Sequence, residues 1–220
     1  QGFRSSVWSG ATGRRALCVF ELIYFARPDS LLDNKLVHSV RQELGAQLAR
    51  EHPVEADLVI GIPDSSTAAA VGYARESGIP FSEGLVKNRY VGRTFIEPEQ
   101  RMRDLGVRQK FNPLTEVIAG QRIVVVDDSI VRGTTTPHVV GLLRKAGAAE
   151  IHMRVCAPPI KHPCFMGVDM ATRQELIAAN QTVDEIRKFI DADTLGYLDV
   201  KGLMKVVGGT NGGYCDACFT

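Results

Sequence analysis

The run Val124-Val125-Val126-Asp127-Asp128-Ser129-Ile130-Val131-Arg132-Gly133-Thr134-Thr135 decides how this chain folds. Residues 122–127 are apolar between polar ends and read as a buried strand that ends on two adjacent carboxylates. Gly133 then allows a sharp bend, and the two threonines open a helix over 134–146, stopped by Gly147. In open α/β sheets ligands bind beyond the carboxyl ends of the strands. A glycine bend running into a helix N-terminus offers backbone N–H groups to an anion. Carboxylates that accept from hydroxyls, set beside a cradle for phosphate, describe a sugar-phosphate site. The plain alternative is an Asp pair that only caps the helix. Strand, acidic pair, bend and threonines in this order favour the site. The run is neither a Walker loop, since no Gly-Lys-Ser/Thr follows, nor a Gly-x-Gly-x-x-Gly dinucleotide turn.

Working outward, helical spacing of Val37, Val40, Leu44 and Leu48 predicts a helix over 37–50, ended by His52-Pro53. A short apolar run over 57–62 reads as a strand. An Ala-rich helix over 66–76, closed by Gly78, follows it, and then a short strand over 80–83. Another strand is read over 151–155. Buried strands alternating with amphipathic helices predict an α/β protein with a mostly parallel central sheet covered on both faces. After Pro158-Pro159 the pattern changes to helices over 172–179, 182–190 and 193–207. Thr182 and Glu185 form a capping box for the second of these. A glycine-rich tail (Gly208, Gly209, Gly212, Gly213) completes a small C-terminal helical and cysteine-bearing appendage.

Two further stretches carry chemistry. Gly61-Ile62-Pro63-Asp64-Ser65-Ser66 joins a strand to a helix N-terminus and makes a second candidate anion site, although Pro, Asp and Ser also simply start helices. The segment 84–108 is long, polar and basic, with a helical part over 98–108, and long connections of this kind are often lids. Within it, Lys87 and Arg93 are the candidates for closing over an anionic leaving group and excluding water, with Tyr90 shaping the closed loop, although such a charge run is usually a solvated surface.

With 26 basic and 25 acidic residues the net charge is +1, which gives no reason to expect a nucleic-acid or anionic-membrane partner. No run approaches the ~20 apolar residues of a membrane helix, and a cytoplasmic protein is expected. The five cysteines are an odd number in a chain too long for a disulfide scaffold, so ligation or burial is expected. Cys215-Asp216-Ala217-Cys218 places two thiols one turn apart. By spacing alone, zinc and an iron–sulfur cluster are equally suited. Cys156 reads as a buried structural thiol.

The Asp127–Thr135 run resembles the motif for phosphoribosyl pyrophosphate (PRPP) in type I phosphoribosyltransferases. The basic stretch Lys87-Asn88-Arg89-Tyr90-Val91-Gly92-Arg93-Thr94 resembles the catalytic loop of the glutamine PRPP amidotransferase family, and the likeness extends from about Cys18 to Thr220. The resemblance implies the type I phosphoribosyltransferase fold, and it implies conversion of PRPP and ammonia to 5-phosphoribosylamine and pyrophosphate, the first step of de novo purine synthesis. It implies PRPP binding by Asp64, Ser65, Ser66, Asp127, Asp128, Ser129, Arg132, Gly133, Thr134 and Thr135. Magnesium would sit at Ser65, Asp127 and Asp128. A 4Fe–4S cluster would be held by Cys18, Cys164, Cys215 and Cys218. Purine nucleotide inhibitors and a homo-oligomer are implied as well. The expected division is an N-terminal segment 1–36, a phosphoribosyltransferase core 37–160 and a C-terminal segment 161–220. The family carries a glutaminase domain ahead of this region, whereas this chain starts at Gln1. Glutamine hydrolysis is therefore not assigned to these residues, and the sequence reads as a fragment or a processed form supplied with ammonia by a glutaminase domain. The rival expectations are a phosphoribosyltransferase acting on a free base and a non-catalytic PRPP-binding regulatory module.

Overall fold

The structure is a computed structural model that describes residues 4, 6, 16–88, 110–168, 172–208 and 213–220. Its first half comprises β1 (Leu17–Cys18), a π-helical turn (Glu21–Phe25), a hairpin of β2 (Leu31–Leu32) and β3 (Lys35–Leu36), α1 (Val37–Glu51), β4 (Leu58–Gly61) and α2 (Thr67–Ser77). A two-stranded ribbon of β5 (Leu85–Lys87) and β6 (Phe111–Pro113) follows, then α3 (Thr115–Ile118), β7 (Arg122–Asp127), α4 (Thr136–Lys145) and β8 (Glu150–Val155). The remainder is a 3₁₀ turn (Arg173–Glu175), α5 (Ile177–Asn180), α6 (Val183–Phe189), β9 (Thr194–Tyr197), α7 (Val200–Val207) and β10 (Tyr214–Cys215).

The central sheet is parallel throughout, in the order β4-β7-β8-β9. Residues alternate between its faces. Val59, Val124 and Val126 pack with Leu44 and Leu48 of α1, Ala70 and Tyr73 of α2, and Leu203 and Val207 of α7. Ile60, Ile123, Val125, Ile151, Met153 and Val155 pack on the opposite side with Val139, Val140 and Leu143 of α4 and Ile186 of α6. Burial on both faces explains why the strands read as unbroken apolar runs.

Four expectations need correction. No strand forms over 80–83: only Phe81 bridges Val59, since Pro80 has no N–H to donate. The helix expected over 193–207 is instead strand β9 followed by α7. Residues 194–197 find unpaired backbone along β8, and Gly196 lies so close to His52 that a Cβ would come within 2.6 Å of its ring. Tertiary pairing here overrides helical propensity, and Asp199 caps α7 by accepting from the Gly202 N–H. The helix expected over 172–179 breaks into the 3₁₀ turn and α5 at Leu176, a fully buried side chain. The helix after the acidic pair begins at Thr136, which leaves Thr134 and Thr135 in the preceding loop. The Thr182–Glu185 capping box forms as expected. Strand β5 lies at the start of the expected lid over 84–108, and β6, which pairs with it, follows the lid's end. Tyr90, Arg93 and the helix expected over 98–108 lie outside the described residues. No helix among the described residues is long and apolar enough to cross a membrane.

Helices α1 and α2 touch backbone to backbone at two glycines. A Cβ on Gly45 would stand 1.8 Å from the Ala69 carbonyl oxygen, and one on Gly72 would stand 1.8 Å from that of Gln42. Gly72→Ala is expected to destabilise the chain by about 1–3 kcal/mol, although alanine is the better helix former by about 1 kcal/mol. Thermal melting checks this: an unchanged or higher midpoint would mean that the helices are not in contact there.

Candidate active site

At the C-terminal edge of the sheet, β4 and β7 both end in turns that face one cavity of about 460 Å³. Asp64, Ser65, Lys87, Asp127, Asp128, Ser129, Arg132, Gly133, Thr134 and Thr135 all line it, so the structure brings the sequence-predicted residues together. Ser66 stands just behind the wall, and its Oγ donates to Asp127 Oδ1 at 3.2 Å. The Pro63–Asp64 peptide is cis. Lys87 Nζ pairs with Asp64 Oδ2 at 2.8 Å across the mouth, linking the ribbon to the β4 turn.

Sequence reasoning missed several lining groups. Lys110 and Phe111 enter from β6 and the residue before it, with the ammonium 5.4 Å from the ring centroid. A lysine next to an aromatic at the end of a basic stretch was the available signal. Phe20, Tyr24 and Phe25 form an apolar wall from the π-helical turn. Nothing in their spacing announces this, because the turn reaches the cavity only through tertiary packing. Arg41 of α1 is buried and donates to the carbonyls of Leu22 (3.1 Å) and Ala26 (2.8 Å), so it fastens that wall.

The electrostatics of the cavity follow from burying two neighbouring carboxylates. Burial, then the charge of Asp128, pushes Asp127 well above the usual carboxylate range. The Asp128 N–H at 2.8 Å, Ser66 and Lys110 act the other way. Burial also raises Asp128, against a 2.6 Å bond from Ser129 Oγ and the nearby Arg41 charge. Lys110 is held below the usual lysine range by burial and then by Lys87, with both aspartates opposing that shift. Burial thus works against the charged form of both aspartates and of Lys110.

Gly133 has φ +71°, in the left-handed region that glycine tolerates, and a Cβ there would meet Ile177 Cδ1 at 2.6 Å. The Ile177 N–H donates to the Val131 carbonyl at 3.0 Å and braces the loop from below. No backbone carbonyl among the described residues accepts from the amides of Arg132, Gly133, Thr134 or Thr135. Such amides before a ten-residue helix suit an anion. Arg132 is exposed, with its Nε 3.7 Å from Glu175.

A second cavity, about 340 Å³, is lined by Cys18, Cys164, Cys215 and Cys218. Parallel pairing of β1 with β10 sets Cys18 opposite Cys215. Burial, then the neighbouring thiols, pushes Cys218 up to about 12. No three ligating side chains among the described residues converge tightly enough for a single metal ion. Cys156 is buried at the end of β8, as expected. Phe20 and Val168 line both cavities.

A family model described as the phosphoribosyl transferase domain matches residues 28–164, which include the β4 turn, the acidic pair and the glycine–threonine loop. The chain belongs to this phosphoribosyltransferase family. Among curated relatives it is 54% identical to the amidophosphoribosyltransferase of Synechocystis sp. over 205 residues, covering 93% of this chain and 41% of that protein. It is 55% identical to the amidophosphoribosyltransferase of Bacillus subtilis over 210 residues, covering 94% of this chain and 44% of that one. A solved structure of glutamine PRPP amidotransferase from B. subtilis, complexed with ADP and GMP, superposes with a TM-score of 0.87 at 53% identity, covering 96% of this chain and 47% of that one. The fold is the type I phosphoribosyltransferase fold, and the likeness is to the phosphoribosyltransferase portion of amidophosphoribosyltransferases. The chain spans under half the length of these relatives.

The raised aspartate pair has a consequence for stability. A carboxylate with a raised folded-state value favours folding at pH values below its ordinary value and loses that contribution as pH rises through the raised one. Asp127→Asn is therefore expected to melt higher than the parent chain at pH 8 without metal or ligand, on the order of 2–4 °C for each kcal/mol relieved. The difference should shrink toward pH 5. A variant that melts lower at pH 8 would show that the pair is not mutually repelled.

Proposed function

We propose that this chain is the phosphoribosyl-transfer unit of an amidophosphoribosyltransferase, converting PRPP and ammonia to 5-phosphoribosylamine and pyrophosphate. The observation that carries the reading is the convergence, on one cavity at the sheet edge, of an acidic pair, two lysines and a loop whose amides meet no backbone carbonyl among the described residues. In this reading Asp127 and Asp128 accept from the ribose hydroxyls. Ser129, Arg132, Gly133, Thr134 and Thr135 hold the 5′-phosphate. Asp64, Ser65 and Ser66 form the pyrophosphate turn. Lys87 and Arg93 close over the leaving group, and Tyr90 shapes the closed loop. The nitrogen lone pair attacks C1, the C1–O bond to pyrophosphate breaks, and the ammonium formed loses a proton to solvent. No covalent enzyme intermediate is needed: the residues position the reactants and stabilise charge on the departing pyrophosphate.

Magnesium fits the donors at Ser65, Asp127 and Asp128. They are hard oxygens, and magnesium is commonly held by one or two carboxylates together with substrate phosphates. Bound there, it would neutralise pyrophosphate charge. Four thiols lining one apolar pocket, with Cys18 opposite Cys215, support a 4Fe–4S cluster. The flanking segments 1–36 and 161–220 would then jointly carry the cluster beside a catalytic core of 37–160. Glutamine-derived ammonia would come from a glutaminase domain outside these residues. The protein would work in the cytoplasm, as a homo-oligomer.

Pyrophosphate release from PRPP with ammonium chloride and magnesium, on anaerobically purified protein, tests the activity. Asp127→Asn is expected to cut it by at least about 100-fold; near-normal turnover in that variant would refute the site. In the same assay GMP is expected to compete with PRPP, as a monophosphate occupying the 5′-phosphate loop, and non-competitive inhibition would point to a separate site. Absence of any release alongside tight PRPP binding would favour the regulatory-module alternative. Iron and acid-labile sulfide analysis is expected to return about four of each per chain. Cys164→Ser should reduce both, and a chain with neither would instead favour a phosphoribosyltransferase acting on a free base.

A further inference from the structure

One unbroken helix over 172–179 would spend its N–H groups internally. Each donates four residues back, so Ile177 would serve the carbonyl of Arg173 and Ala178 that of Gln174. The structure interrupts that helix at Leu176, a fully buried residue whose φ of −76° and ψ of 112° are extended. Ile177 thereby becomes the first residue of α5, where an N–H has no partner inside its own helix. It donates instead to the Val131 carbonyl, 3.0 Å away in the loop after the acidic pair.

The interruption deprives two carbonyls of their helical donors, and one side chain answers for both. Asn180 Nδ2 lies 3.3 Å from the carbonyl oxygen of Arg173 and 3.1 Å from that of Gln174, the two that an unbroken helix would have engaged. It also lies 3.0 Å from that of Leu176, at the break itself. Two more links join this segment to the loop. The backbone of Gly133 rests on the Ile177 side chain, with a Cβ position only 2.6 Å from Cδ1. Glu175, held by the Thr172 N–H at 3.1 Å, stands 3.7 Å from Arg132 Nε. Arg132 and Gly133 line the cavity and Asn180 does not, so Asn180 can influence a ligand there only through the loop.

We propose that Asn180 is a positioning residue for the glycine–threonine loop. By satisfying the carbonyls of the interrupted helix it releases the Ile177 N–H to hold Val131, and so sets the backbone N–H groups of residues 132–135 for a phosphate. The inference rests on the reading of that loop as the 5′-phosphate site of PRPP. Alanine at 180 removes the donor and is the stronger helix former. Both effects return the segment toward the continuous helix, in which the Ile177 N–H is spent on Arg173.

The test compares the parent chain with Asn180→Ala in two measurements. Hydrogen exchange on the ligand-free chain is expected to be roughly 10-fold faster in the variant for the peptide spanning residues 130–136, and to rise less for the peptide of β7. Calorimetric titration in one magnesium buffer is expected to show ribose 5-phosphate bound roughly 10-fold more weakly and pyrophosphate bound as in the parent, because its turn belongs to β4. Unchanged exchange in the loop, or unchanged affinity for ribose 5-phosphate, would overturn the proposal. So would an equal rise in exchange across the loop and β7 with both ligands weakened alike, which would make the asparagine merely structural. A parent chain that binds neither ligand would bring down the PRPP reading, and the assignment to the 5′-phosphate with it, whereas the exchange result separates that failure from a failure of the link between Asn180 and the loop.

Discussion

Two carboxylates side by side at the end of a buried strand are an electrostatic liability, and much of the molecule is arranged around it. The parallel sheet brings Asp127 to the edge of the core, and burial then drives both aspartates toward the neutral form. The fold answers with donors and cations drawn from four elements: Ser66 ahead of α2, Ser129 in the loop, Lys110 beside β6 and Arg41 on α1. None of these forms a close ion pair with the carboxylates in the structure. The pair is left under-compensated, as a site prepared for a polyhydroxyl ligand and a cation would be.

The wall opposite the acidic pair has a different origin. The π-helical turn over Glu21–Phe25 is pinned by Arg41 from below, and Phe20 packs against Phe25 and Phe219 at 5.6 and 5.8 Å. Phe219 follows directly on Cys218, and Phe20 follows Cys18 by two residues. The aromatic contacts that shape one end of the first cavity therefore lie beside the thiols that line the second. Leu17 and Cys18 meet Tyr214 and Cys215, nearly 200 positions away, through the short parallel ladder of β1 and β10.

Legibility tracked the range of the interactions involved. The strand over Arg122–Asp127 was readable because both faces are buried and its apolar run is bounded by charge. The Thr182 capping box was readable because it closes within four residues. Strand β9 was not: Thr194-Leu195-Gly196-Tyr197 carries no strong strand signal, and it is extended because β8 offers it a free edge. Phe20, Tyr24, Lys110 and Arg41 escaped notice for the same reason, since each acts on a partner far away in sequence.

By itself, then, the order of residues determined the type of fold, the acidic pair, the glycine–threonine loop and the Cys215–Cys218 pair, because each is a local pattern of polarity and backbone freedom, whereas Cys18 and Cys164 joined that pair only through the family resemblance. Only the tertiary structure decided that Tyr197 shares a row with Asp127, that an arginine on the first helix supports the aromatic wall, and that β1 and β10 pair beside the thiols. Those relations come from strand register and side-chain packing between distant segments, which no local pattern encodes.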